Sequence, residues 1–127
     1  MITAYTPNEI PFVWDEVESD IKRALDRGSN YTPEMIYDGL RAGRMQLFTS
    51  PLATLVVAHM EEYCLLLTLG GEGLHECARL LPQIEDWAKK IGYERMRIQG
   101  RKGWSRVLNY KIKGKDSLSL HIMEKEL

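Results

Sequence analysis

No stretch of this 127-residue sequence stays apolar for anything near the ~20 residues a membrane helix needs. The opening Met1-Ile2-Thr3-Ala4 has neither the basic start nor the apolar core of a signal peptide, so export by that route is not expected. Cysteine is scarce. Cys64 and Cys77 form no short-spaced pair and have no Cys or His set beside them, which reads as two reduced, mostly buried thiols in a cytosolic-type protein. A Cys64–Cys77 disulfide, or zinc held with His59 and His75, matches no standard spacing, and no metal is expected. Walker loop, dinucleotide fingerprint and nucleophile triad are all absent. So are internal repeats, low-complexity tracts and linker-like segments, and residues 1–127 are read as one domain.

Excess charge of one sign is missing too, with a formal net charge of −1, but the charges are unevenly placed. From Arg95 to Lys115 the basic residues are Arg95, Arg97, Arg101, Lys102, Arg106, Lys111, Lys113 and Lys115, with no Asp or Glu among them. The N-terminal region carries Glu9, Asp15, Glu16, Glu18 and Asp20. A basic half of this kind suits a phosphate-bearing ligand, a nucleic acid or an acidic protein surface, while a solvated face is the commoner reading. Ion pairing between the halves, within or between subunits, is a third. No membrane partner is expected.

What is present is a clear order of periods. Ile2–Tyr5 suits a short edge strand ended by Pro7. Pro11 suits a first helical turn, followed by Val13, Val17, Ile21, Ala24 and Leu25 at helical spacing and Gly28 past the end. A second helix opens with Thr32 as N-cap, Pro33 and Glu34, and stops near Gly43. Met45–Phe48, Thr54–Met60 and Tyr63–Leu69 read as three strands of an antiparallel meander, with a polar turn at Glu61-Glu62. The last two are apolar on both faces, so helices are expected to cover each side.

Leu74, Cys77, Leu81, Ile84, Ala88 and Ile91 then form a continuous helical stripe, with Trp87 at its edge. Pro82 interrupts without shifting the phase. One kinked helix is expected, with two shorter helices the alternative. After Gly92, Arg95–Ile98 alternates as a strand. Ser105–Leu108 has room for a helical turn or two. Tyr110-Lys111-Ile112 and Ser117–Lys125 form a closing hairpin around Gly114-Lys115-Asp116. In the last strand Leu118, Leu120 and Ile122 share one face, and Ser119, His121 and Met123 the less apolar one.

The most informative feature is Leu69-Gly70-Gly71-Glu72-Gly73-Leu74, where a strand opens through glycines onto a helix N-terminus. Free backbone N–H groups and the helix dipole make such a turn a place to hold a phosphate. In topology the whole chain resembles the GNAT superfamily of acetyl-CoA-dependent N-acyltransferases. Ala88-Lys89-Lys90-Ile91-Gly92-Tyr93 looks like the family's passage from long helix to next strand, and Ile122–Leu127 like its closing strand. Gly100-Arg101-Lys102-Gly103-Trp104-Ser105-Arg106-Val107-Leu108 is similar to a Gly-Arg-x-Gly-Trp-x-Arg-x-Leu pattern of small GNAT-like proteins of tailed bacteriophages and prophages.

The resemblance implies an α/β (α+β) fold with a central antiparallel meander, a splayed parallel strand pair and helices on both faces. It also implies that an acyl-CoA would lie in the splay, its pyrophosphate held by Leu69, Gly70, Gly71, Gly73 and Leu74. The family's loop usually starts with Gln or Arg and is longer. Here that residue is absent, and Glu72 stands where the pyrophosphate would lie. Two like charges ~4 Å apart cost ~1 kcal/mol in water and several times more in a shielded cleft. No cofactor is therefore expected, or acetyl-CoA if the protein is active.

Direct transfer would need a base, a polarised carbonyl and an acid for the leaving thiolate. The family's proton donor is commonly a Tyr after the fifth strand, and Tyr110 lies just beyond that register. Glu61 is the other catalytic candidate, beside Glu62, His59 and Glu72. Glu61-Glu62 reads equally as a solvated turn, and His59, His75 and His121 as structural histidines. Arg97, Arg101, Lys102 and Trp104 are candidate partner or phosphate contacts, with Trp104 as a core cap the blander reading. The expectation is a catalytically degenerate GNAT-fold protein of phage or prophage type, a virion, assembly or interaction component located in the host cytoplasm or the particle. Its partners would be proteins, possible phage structural proteins or a second copy among them. The alternatives are an active acetyl-CoA-dependent N-acetyltransferase and, last, a nucleic-acid-binding accessory protein.

Overall fold

A computed structural model describes residues 2–26, 31–51, 53–71, 74–100, 105, 108–115 and 121–127. Strand β1 (Thr3–Tyr5) leads through a 3-10 turn, Pro7–Glu9, into helix α1 (Ile10–Leu25). The Glu9 carboxylate accepts from the Thr6 backbone N–H and hydroxyl, both at 2.9 Å. Those bonds, the backbone one foremost, hold Glu9 below the usual carboxylate range. Pro11 sits in the first turn of α1, and Ile10, Val13, Val17, Ile21 and Leu25 form its buried stripe. Gly28 lies outside the described residues. In α2 (Pro33–Ala42) the Thr32 hydroxyl accepts from the Met35 N–H at 3.2 Å, and Gly43 ends the helix at φ +79°, a conformation side chains resist.

Strands β2 (Met45–Ser50), β3 (Ala53–His59) and β4 (Cys64–Gly71) form the expected meander. Helix α3 (Leu74–Lys90) then crosses to β5 (Arg95–Gly100), and β6 (Lys111–Lys115) and β7 (His121–Glu126) close the chain. The seven strands run in the order β1-β2-β3-β4-β5-β7-β6, and every neighbouring pair is antiparallel except β4 and β5.

The meander is apolar on both faces because both are covered. On one face α1 and α2 bring Ile10, Val17, Ile21, Ile36 and Leu40 against Leu47 and Val56. On the other, α3 lays Leu81, Ile84 and Ala88 on Leu55, Val57, Cys64, Leu66, Met96 and Ile98. This second contact keeps α3 continuous through Pro82, since buried residues on either side of the proline share one core. It offsets the ~3 kcal/mol that a proline costs inside a helix. Among the described residues no helix is long and apolar enough to cross a membrane.

Three sequence expectations need correction. Ile91 does not continue the α3 stripe. It lies in the turn after the helix and is half exposed, because the chain leaves the helical path at Gly92, φ +110°. Gly114 and Lys115 are not a turn but the end of β6, opposite Ile122 and His121, where a bulge after Ile112 absorbs the extra residue. The face of β7 that carries His121 and Met123 is the core face: Met123 is fully buried against the α3-side cluster. Reading the strand as period two was right, but Ser119 and His121 hid which side was inward.

Candidate functional site

Parallel pairing between β4 and β5 covers three rungs, Cys64↔Met96, Leu65↔Arg97 and Leu66↔Ile98. Both strands continue, β4 to Gly71 beside β3 and β5 to Gly100 beside β7, without further pairing to each other. The pair therefore opens like a V after its first half. A cause is visible in β4. Val57 faces Leu66 and Val56 faces Thr68, so Leu67 is an extra residue bulged out of the β3 register. A bulge bends its strand and strengthens the local twist, and this one falls where β5 is lost. Leu67 packs on the α1-side core, which pins the bend.

The open arm of β4 ends in Leu69, Gly70 and Gly71, and Leu74 starts α3 just beyond. The cofactor-binding set expected from the sequence is thus brought to the mouth of the V, apart from Gly73, which lies outside the described residues. Glu72, Arg101, Lys102 and Trp104 also lie outside them.

Of the catalytic candidates, Glu61, Glu62, His59 and Tyr110 are not brought there. Glu61 and Glu62 sit in the bend before β4, at the closed end. From Glu62 to the bulge is five residues, roughly 17 Å of extended chain. Glu62 is exposed and 3.4 Å from the Arg95 guanidinium. His59 is also at this end, exposed, with Nδ1 2.8 Å from the Tyr93 hydroxyl and its ring stacked on that tyrosine.

Tyr110 is buried one residue before β6 and donates its hydroxyl to Glu85 Oε2 at 2.7 Å. Burial first, then that hydrogen bond, push its pKa well above 10. Lys125 reaches the other Glu85 oxygen at 3.1 Å. The result is a closed polar network beneath α3, with each strong group partnered. Sequence reasoning missed Glu85. Its signal was an acid inside the Leu81, Ile84, Ala88 stripe, where only a partnered carboxylate is tolerated.

Arg97 lies on the opposite sheet face. Its Nε and Nη2 donate to Glu124 Oε2 at 2.9 and 2.7 Å, and its guanidinium lies 4.0 Å from the centre of the Tyr63 ring. Arg95 stands 3.9 Å from the second Glu124 oxygen. The structure thus commits Arg97 to an internal carboxylate and an aromatic face. Cys64 is a free, buried thiol whose pKa burial pushes up to about 12, so it is no nucleophile near neutral pH. Among the described residues no group of three metal-ligating side chains occurs.

Neither a model of any known family nor any curated protein matches the sequence. Solved structures do. An aminoglycoside 6'-acetyltransferase type Ii is similar over 99% of this chain and 96% of its own, with a TM-score of 0.76 at 13% identity. A PaiA N-acetyltransferase from Thermoplasma acidophilum, in complex with coenzyme A, matches over 100% and 99%, with a TM-score of 0.66 at 14% identity. A GNAT family N-acetyltransferase from Escherichia coli, in complex with CoA, matches over 99% and 80%, with a TM-score of 0.71 at 10% identity. With helices on both faces of a mixed seven-stranded sheet and one parallel pair that parts halfway, this chain has the GNAT fold.

Proposed function

We propose that this protein is a GNAT-fold component of bacteriophage or prophage type that binds or assembles rather than transferring an acyl group. The observation that carries this reading is the placement of the described proton-handling side chains. Glu61 and Glu62 lie at the closed end of the V, and Tyr110 donates to Glu85 in a buried network. An amine attacking a thioester needs its base and acid within hydrogen-bond reach of the reacting atoms. The phage assignment rests on the resemblance of the Gly100–Leu108 segment.

The frame itself fits an acyl-CoA in its backbone. Gly70 and Gly71 carry no side chains to block approach, and α3 opens a few residues later, so amides there would hold a pyrophosphate. When bound, such a group supplies an activated thioester. The side chains fit less well: between Leu67 and Ala78 there is no Lys or Arg to balance a pyrophosphate, while Glu72 and Glu76 add negative charge. A second reading, an active acetyl-CoA-dependent N-acetyltransferase, is favoured by the parted strands and by the CoA complexes among similar structures.

Thermal unfolding with acetyl-CoA separates the two. At ~1 mM ligand the melting temperature is expected to stay nearly unchanged, whereas saturation to a hundred times Kd adds ~2.7 kcal/mol. A clear shift that disappears in Gly71→Trp would install the enzyme reading. Recovery of the native protein in purified particles, without bound CoA, is the positive outcome.

A further inference from the structure

The two ends of the sheet carry opposite charge, and each is an edge strand among the described residues. At one end β1 pairs only with β2 among the described residues. Beside it Tyr5, Glu9, Phe12, Val13 and Glu16 line a cleft of about 330 Å³. Phe12 is the most exposed large apolar side chain described, at 87%, and Glu9 and Glu16 flank it one helical turn to either side. Glu16 has no ion-pair partner among the described residues. Arg41 is the nearby cation, and it donates to the Pro7 carbonyl at 3.3 Å. Aromatic walls with a carboxylate rim suit a cation on a long aliphatic stem, as in lysine or arginine.

At the other end, β6 pairs only with β7 among the described residues and is exposed at all five positions, Lys111-Ile112-Lys113-Gly114-Lys115. None of its three lysines has an ion-pair partner among the described residues. Six inter-strand spacings separate β6 from β1, roughly 29 Å, so the two ends cannot neutralise each other within one molecule. A net charge of −1 leaves little overall repulsion between copies.

We propose that the β6 edge of one copy docks on the β1–α1 end of a second, seating a lysine between Phe12 and the Glu9 and Glu16 carboxylates. Lysines on an edge strand ordinarily prevent pairing with another edge. Here they would select the acidic edge and reject a like one. The contact joins unlike surfaces, so it builds chains or rings rather than a closed two-fold dimer. It stands apart from whether the V binds a cofactor, and its test does not involve one.

Sedimentation velocity of the whole chain, from low to high micromolar, is the measurement. In about 0.02 M salt the average mass should rise above 14.7 kDa with concentration, and fall back in about 0.5 M salt. Phe12→Ser with Glu16→Lys removes the acidic end, and Lys113→Glu with Lys115→Glu the basic one. All four positions are exposed, and circular dichroism checks that the variants fold. Each variant alone should be monomeric, and an equimolar mixture should form a one-to-one dimer that grows no further. A wild type that stays monomeric overturns the proposal, as does a variant that still self-associates or a mixture that forms nothing. Binding of an oligolysine probe by a monomeric wild type would also overturn it, leaving the cleft to a different basic partner.

Discussion

Glu124 and Lys125 are consecutive residues of β7, yet they belong to networks of different character on opposite faces of the sheet. Lys125 joins Glu85 and Tyr110 beneath α3, where Tyr110 is 4% and Glu85 8% exposed. Glu124 holds Arg97 over Tyr63 on the opposite face, the one that α1 and α2 share, and Arg95 and Glu62 extend that network into solvent. Glu124 is as buried as Glu85, each 8% exposed, so what differs is the partners: the buried Tyr110 closes one network in the dry, while Arg95 and Glu62 leave the other half in water. Buried polar groups cost far more when stripped of partners than exposed pairs gain by meeting. The two faces should therefore answer mutation very differently.

The largest effect is expected for Glu85→Ala. It leaves the buried Tyr110 hydroxyl without an acceptor and opens space under α3, while the partly exposed Lys125 can turn to water. About 3 kcal/mol is expected, a fall in melting temperature of roughly 10 °C. Glu85→Leu combined with Tyr110→Phe removes both polar partners together and should restore much of that loss. If the double change is as damaging as Glu85→Ala, the network does more than satisfy itself, and Tyr110 regains interest as a proton donor.

That network was only partly legible in the sequence. The helix stripes and the meander were readable because period and turn chemistry are local: Thr32, Gly43 and Gly92 mark helix ends wherever they fold. The V came only from the resemblance. The pairing of Glu85 with Tyr110 and Lys125 spans 25 and 40 residues and leaves no periodic trace. For the same reason Glu61 looked as good a base as any. That it precedes β4 was plain, but that β4 parts from β5 at its far end is a property of two strands and a bulge. By sequence the strand ends at Leu69, with Gly70 and Gly71 in a loop, whereas β4 runs through both, still paired with β3.

A pH series is the next largest test of the dry face. The Cys64 thiol is pushed by burial from 9.0 up to about 12, and Tyr110 is raised above its ordinary 10.0 by burial and by Glu85. Both groups stay protonated in the folded state while the unfolded chain loses its protons at the ordinary values. Their contribution is complete below about pH 9 and is lost as pH rises toward and through the folded values. Urea midpoints measured from about pH 8 to about pH 11 should fall, and less steeply in Cys64→Val. A midpoint that is flat across that range would place water at one or both groups and blur the contrast between the faces.

On the wet face Glu124→Gln should cost about 1–2 kcal/mol, because Arg97 loses a charge-assisted partner but keeps its stacking on Tyr63 and its access to solvent. Chemical denaturation in low and high salt would show part of the difference screened.

Arg95→Ala should cost least, under about 0.5 kcal/mol. Its guanidinium is 3.9 Å from Glu124 and 3.4 Å from Glu62, whose side chain is 76% exposed, so it forms no tight bond to either. Holding a long side chain between two carboxylates costs rotamer freedom that nearly cancels so weak an attraction. The measured value therefore decides how the wet network is built. A near-zero change means that Arg97 alone neutralises Glu124 and that Arg95 is a spectator. A loss equal to that of Glu124→Gln would mean the four charges act together, so that the two faces differ in exposure but not in cooperativity.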